Sequence, residues 1–264
     1  MTKQQKEVAE KANSELAVIN FEADGQEATK FDQDDLTTPF LKILQKMSPE
    51  IDEDSSDFVE GAKVGMFINT SSKQLTSAPA VIIPCGYDRQ FLEWVPRDLG
   101  GGFKGPVAKD YALGLERDDR GRYVTAEGHH VLDTRVWYVL QVIDGELVPA
   151  VMSLKSTSIK RSKELGDIIS SIRLPRADGT KFRPADYSHT YVVSVTHETS
   201  GEDTWKLPKF AIGEQITDPA IYTAAKEFSE IVAKGGAKVD HSKSEDTGSS
   251  AGGGNSGGGE SEDF

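Results

Sequence analysis

Apolar and polar positions alternate with a period of two through most of the middle of the chain, the signature of half-buried strands. Residues 64–69 are short and apolar, and residues 80–84 (Ala-Val-Ile-Ile-Pro) read as a buried strand. A turn at Gly86 would separate that run from a second strand over residues 90–95. Residues 134–143 form the strongest strand pattern and end in Asp144-Gly145. That dipeptide favours the positive backbone angles of a two-residue hairpin, which predicts a return strand over 147–154. Over residues 187–197, Tyr187, His189, Tyr191, Val193 and Val195 fall on one face, with Ser188, Thr190, Val192 and Ser194 on the other. Ser200-Gly201 signals a further hairpin into residues 203–211.

Two segments switch to a helical period. In residues 158–173, Leu165, Ile168, Ile169 and Ile172 recur at i, i+3, i+4 and i+7, with Ser156 or Ser158 as N-cap. In residues 218–234, Asp218 suits the N-cap, Pro219 the first turn, and Gly235-Gly236 the stop. Ile221, Ala225, Phe228 and Ile231 would be the buried stripe. Phe40, Leu41, Ile43 and Leu44 form a compact apolar cluster after Pro39, a strand or short helix that docks on the core. The pattern thus predicts a mainly β fold of about seven strands with two or so helices.

Composition divides the chain. Of its 264 residues, 37% are apolar and 28% charged, for a net charge of −13. Residues 1–60 carry 15 acidic and 6 basic side chains, residues 235–264 carry 6 and 2, and the middle carries 22 of each. The acidity belongs to the ends, so it does not exclude a basic groove in a neutral body. Residues 1–37 read as a flexible acidic segment with a faint helical pattern at Val8, Leu16 and Ile19. Residues 38–234 read as the folded domain, and residues 235–264 as a disordered Gly/Ser-rich acidic tail. No run has the 18 or more apolar residues of a membrane span, and the N-terminus lacks a secretory h-region. The single Cys85 excludes an intramolecular disulfide and a Cys-rich zinc site, so a reducing compartment is expected.

Enzyme chemistry finds little support. Cys85 has no sequence feature supplying a partner base and reads as buried and structural. His129, His130 and Asp133 suggest a metal site, but adjacent residues on a strand point to opposite faces and chelate poorly. The glycine-rich run 99–105 lacks the Lys-Ser/Thr step of a phosphate-binding P-loop. No carboxylates are spaced for acid–base or two-metal work. The expectation is a protein that is not an enzyme and needs no cofactor or metal.

Single-stranded nucleic acid fits better, because its binding needs cations for phosphates interleaved with aromatic faces for bases. Tyr87, Arg89 and Phe91 alternate onto one strand face; Trp94 and Arg97 follow, then Phe103 and Lys104 in the glycine-rich loop. Arg135 and Trp137 share a face. Either that pair meets nucleic acid, or Trp137 is core and Arg135 snorkels outward. Residues 155–183 hold eight basic residues against three acids, among them Lys155, Lys160, Arg161 and Lys163. These side chains are the candidate DNA-binding set. The tail ends in Glu260, Glu262, Asp263 and Phe264, a portable ligand whose ring fills an apolar pocket and whose carboxylates meet basic residues.

That ending, Glu260-Ser261-Glu262-Asp263-Phe264 after a Gly-rich spacer, resembles the C-termini of single-stranded DNA-binding proteins of tailed bacteriophages. Residues 39–50, 65–70 and 93–97 are similar to segments of phage proteins of this size. The resemblance implies an OB-fold-like β-barrel that binds single-stranded DNA without sequence preference in phage replication or recombination. It further implies that the tail recruits polymerase, helicase/primase or nuclease and competes with DNA, in the cytoplasm of the infected bacterial host. It leaves room for a homo-oligomer and gives no role to a membrane. The alternatives are a phage interaction, structural or transcription-coupled factor without direct DNA binding, and a strand-annealing recombination protein.

Overall fold

The computed structural model describes residues 37–244, except residue 120. The flexible N-terminal segment expected over residues 1–37 falls, up to residue 36, outside the described residues, as do Glu260, Glu262, Asp263 and Phe264.

Thirteen strands and three α-helices are present among the described residues. In chain order the first strands are β1 (Leu41–Ile43), β2 (Phe67–Asn69), β3 (Leu75–Thr76), β4 (Ala80–Trp94) and β5 (Phe103–Val107). Next come α1 (Lys109–Leu113), β6 (Glu116–Arg117), β7 (Tyr123–Val124), β8 (His130–Ile143) and β9 (Glu146–Lys155). The chain continues through α2 (Ile159–Ser171), β10 (Leu174–Pro175), β11 (Lys181–Phe182), β12 (His189–Ser200), β13 (Asp203–Gln215) and α3 (Pro219–Ala233). The main sheet runs β13-β12-β4-β8-β7-β6, with β5 added to β4 and β9 to β8. Its strands pair antiparallel and curl into a half-barrel, in keeping with the mainly β reading. The curl follows from divided partnerships. Strand β4 takes β12 over residues 80–82 and β5 over residues 91–94, so one edge feeds two diverging strands.

Both faces of the central strands are covered, which explains a near-continuous apolar run in β8 rather than clean alternation. On one face Trp137 and Val139 meet Leu165 and Ile169 of α2, together with Leu41, Ile43 and Phe67 of the small β1–β2–β3 sheet. On the other, Val136, Tyr138 and Leu140 meet Phe40, Ala225 and Phe228, the last two from α3. A third cluster, Phe91, Ala112, Tyr123 and Val131, closes the end beside α1.

The local signals act as chemistry predicts at several places. Asp144 and Gly145 both have positive φ and join β8 to β9. Asp218 caps α3, its carboxylate accepting from the Ala220 amide at 2.8 Å. Four expectations are corrected. The turn expected at Gly86 is a β-bulge inside one 15-residue strand, where the register shifts between Pro84 and Gly86. Val232, not Ile231, packs with Ile221, Ala225 and Phe228 against the core, because the stripe follows the helical repeat one residue further. Phe103 and Lys104 lie in strand β5 rather than in a loop, paired with the end of β4. The chain beyond residue 234 does not leave the body at once. The Thr38 amide donates to the Lys238 carbonyl at 2.8 Å, Ala237 and Val239 pack on the α3 face, and His241–Ser244 form a single 3-10 turn.

Candidate nucleic-acid interface

The bulge builds the site. One extra residue at Cys85 puts Cys85 and Gly86 toward α3 and re-aims everything after them. Tyr87 then stands opposite Trp137, and Arg89 opposite Arg135. Without the bulge, Tyr87 and Arg89 would face the α3 side. Gly86 is required there, since a Cβ would sit 2.6 Å from Val232 Cγ1.

Trp137 is core, only 5% exposed, and its indole N–H donates to Ser162 Oγ of α2 at 2.8 Å. Of the two readings of its shared face with Arg135, the tryptophan half of the second, a core position, is what the fold shows. The Arg135 side chain does not snorkel outward: it is 12% exposed, donates to Tyr87 Oη at 3.1 Å, and meets Asp133 at 3.1 Å. Arg89 grips the same carboxylate through two bonds of 3.0 and 2.7 Å, and that hydrogen bonding raises its pKa. Two guanidiniums thus share one carboxylate and leave one positive charge. Arg135 Nε is buried without a hydrogen-bond partner among the described residues.

Tyr87 is 47% exposed, its ring 4.8 Å from that of Trp137 at 49°. It forms one wall of a cleft of about 420 Å³ that reaches Arg135, Lys163, Gly166 and Arg183. Asp167 and Asp186 also line it, and Asp186 pairs with Arg183 at 2.9 Å. The lining carries three cations and two anions, a positive balance of one. The short β10–β11 ribbon beside it brings Arg176, whose guanidinium lies 5.0 Å over the Phe182 ring.

The other candidates separate. Phe91 shares the Tyr87 face but is 1% exposed inside the third cluster, so it offers no face to a base. Trp94 stands on the opposite face, 6% exposed, 4.9 Å from Phe103 at 46°, with Lys155 Nζ 5.6 Å over its ring. Arg161 is spent on Glu164 at 3.0 Å and Glu198 at 2.6 Å, and the bond to Glu164 does most to raise its pKa. Arg97, Lys104 and Lys160 are exposed, Arg97 in a 3-10 turn, Lys104 on β5 and Lys160 on α2. The structure therefore brings Tyr87, Arg89, Arg135, Trp137 and Lys163 together, and holds Trp94, Phe103 and Lys155 apart from them. Sequence reasoning missed Asp133 and Ser162 as members of the first group and His241 as a member of the second, and it held Arg183 only as one of the eight basic residues of 155–183.

Elsewhere, His129 Nδ1 lies 2.6 Å from Glu93 Oε1, while Asp133 is engaged by the two arginines. No cluster of three or more His, Cys, Asp or Glu among the described residues is arranged to hold a metal ion. Cys85 is buried, donates weakly to the Ile83 carbonyl, and is pushed up to a pKa of about 12 by burial. No helix among the described residues is long and apolar enough to cross a membrane. The sequence model of the family described as Pam3 phage gp34-like protein matches residues 8–238. No curated protein and no solved structure matches the chain.

Proposed function

We propose, from the premise that this chain belongs to the Pam3 phage gp34-like family, that it binds single-stranded DNA without sequence preference in phage replication or recombination. The observation carrying this reading is the exposed Tyr87 ring, backed by Trp137 and steadied by Arg135, at the mouth of a cleft rimmed by Lys163 and Arg183. An unstacked base lies on the Tyr87 face, and successive phosphates meet Lys163 and Arg183. The Arg89–Asp133–Arg135 cluster holds the ring in place before DNA arrives, so little side-chain entropy is lost on binding. None of these contacts reads a base edge, which fits binding without sequence preference. The acidic end with Glu260, Glu262, Asp263 and Phe264 recruits replication or recombination proteins and competes for the cations, within the cytoplasm of the infected host. No cofactor enters this scheme.

Fluorescence anisotropy with labelled oligo-dT and with duplex of the same length tests it. Tighter binding to oligo-dT, steeply weakened by salt and by Tyr87→Ala or Lys163→Ala, supports the reading. Absence of binding at low ionic strength, with or without residues 245–264, overturns it.

A further inference from the structure

The sheet carries two ring pairs of the same construction, one on each face. Tyr87 and Trp137 lie 4.8 Å apart at 49°, beside Arg135. Phe103 and Trp94 lie 4.9 Å apart at 46°, beside Lys155. The first pair opens into the cleft. In the second, the Phe103 ring is covered by the chain's own His241, at the start of residues 241–244. The His241 imidazole, 5% exposed, packs 6.0 Å from the Phe103 ring and 5.8 Å from Phe40, and Lys155 Nζ reaches the Ser244 carbonyl at 3.5 Å.

This cover fits its site poorly in one respect. Both ring nitrogens of His241 and the indole nitrogen of Trp94 are buried with no hydrogen-bond partner among the described residues. Each such atom gives up its hydration and receives no hydrogen bond in return. A cover that packs on the Phe103 ring yet leaves both of its own ring nitrogens unpaired is held less firmly than its burial suggests. A nucleobase would suit the same place better, since it offers a π-face to the rings, edge acceptors to the indole N–H, and a phosphate to Lys155.

Resting on the reading that this chain binds single-stranded DNA, we infer that residues 241–244 are a displaceable plug. Beneath them lies a second base-stacking site, formed by Trp94, Phe103 and Lys155, which single-stranded nucleic acid takes over. Burial, and after it Lys155, lower the pKa of the docked imidazole; Asp240 and Asp88 act in the opposite sense.

The test uses the full chain and two substitutions expected to act in opposite directions. His241→Ala removes the plug's ring and is expected to tighten oligo-dT binding about fivefold or more, the lower range of one base–ring stack. His241→Phe keeps a ring and removes the two unpaired imidazole nitrogens, so it is expected to hold the plug more firmly and weaken binding. Phe103→Ala added to His241→Ala should cancel the gain. Oligo-dT binding that depends on Tyr87 and Lys163 but is unchanged by both His241 substitutions overturns the plug and leaves the cleft standing. Absence of oligo-dT binding in every variant overturns the cleft reading and the plug with it.

Discussion

The two faces of the curled sheet bury similar side chains and treat their aromatic–cation groups differently. On the α2 face, cover stops short: Leu165 and Ile169 close over Trp137, while Tyr87 beside it stays in solvent. On the α3 face, cover runs on: beyond Ala225 and Phe228 the chain returns through Ala237 and Val239 and ends with His241 against Phe103. The polar accounting differs too. The Trp137 indole N–H has Ser162 as acceptor, whereas that of Trp94 has none among the described residues. A satisfied tryptophan under an exposed ring makes a fixed platform. A histidine with both nitrogens unpaired over the Phe103 ring makes a cover that can be exchanged.

The largest expected effects strike the covers themselves. Leu165→Ala should cost about 2–5 kcal/mol of stability and Phe228→Ala about 3–5 kcal/mol, measured by urea denaturation. A small loss at either position would show that the corresponding helix is not integral to the core. Next comes the bulge that sorts side chains between the faces. Gly86→Ala drives a methyl group to 2.6 Å from Val232 Cγ1 and should cost about 1–3 kcal/mol. The Tyr87→Ala substitution sharpens the contrast directly. It should weaken oligo-dT binding by about 1–3 kcal/mol with a clearly smaller loss of stability in urea, because the ring is half exposed. An equal fall in stability would return Tyr87 to the core.

The smallest effect is that of pH on the α3 face. Burial lowers the proton affinity of docked His241 below its ordinary value of 6.5. The docked state then binds fewer protons than the undocked one, so docking is fully favoured above that value and is lost as pH falls through it toward the lowered docked pKa. Trp94 fluorescence should therefore change as pH falls below the ordinary histidine value of 6.5, with no such change in His241→Phe. An identical profile in that variant would assign the transition to another group.

Much of the scaffold was legible because its signals are local. Asp144-Gly145, the Asp218-Pro219 cap and the i, i+3, i+4 stripe of α2 each act within a few residues. The bulge was not legible. Residues 80–85 are apolar toward both faces, so one extra residue leaves no break in the pattern, and Gly86 looks like a turn. Everything downstream depends on it, including which face holds Tyr87 and which holds Trp94. Other features left traces that composition overrode. Asp133 and Arg135 stand two apart on a strand, the spacing that puts opposite charges side by side. Ala237, Val239 and His241 repeat at i, i+2 and i+4, a strand-like docking pattern inside a segment whose glycines and acids suggested only a spacer.

Photo-crosslinking to an oligo-dT that carries one halogenated uracil asks which face holds the nucleic acid. The principal adduct is expected on Tyr87, lost when that residue is replaced, with a weaker adduct at Trp94 or Phe103 that grows in His241→Ala. Adducts confined to the β6–β7 end of the sheet, or none above the level given by an unrelated protein of equal charge, would contradict it.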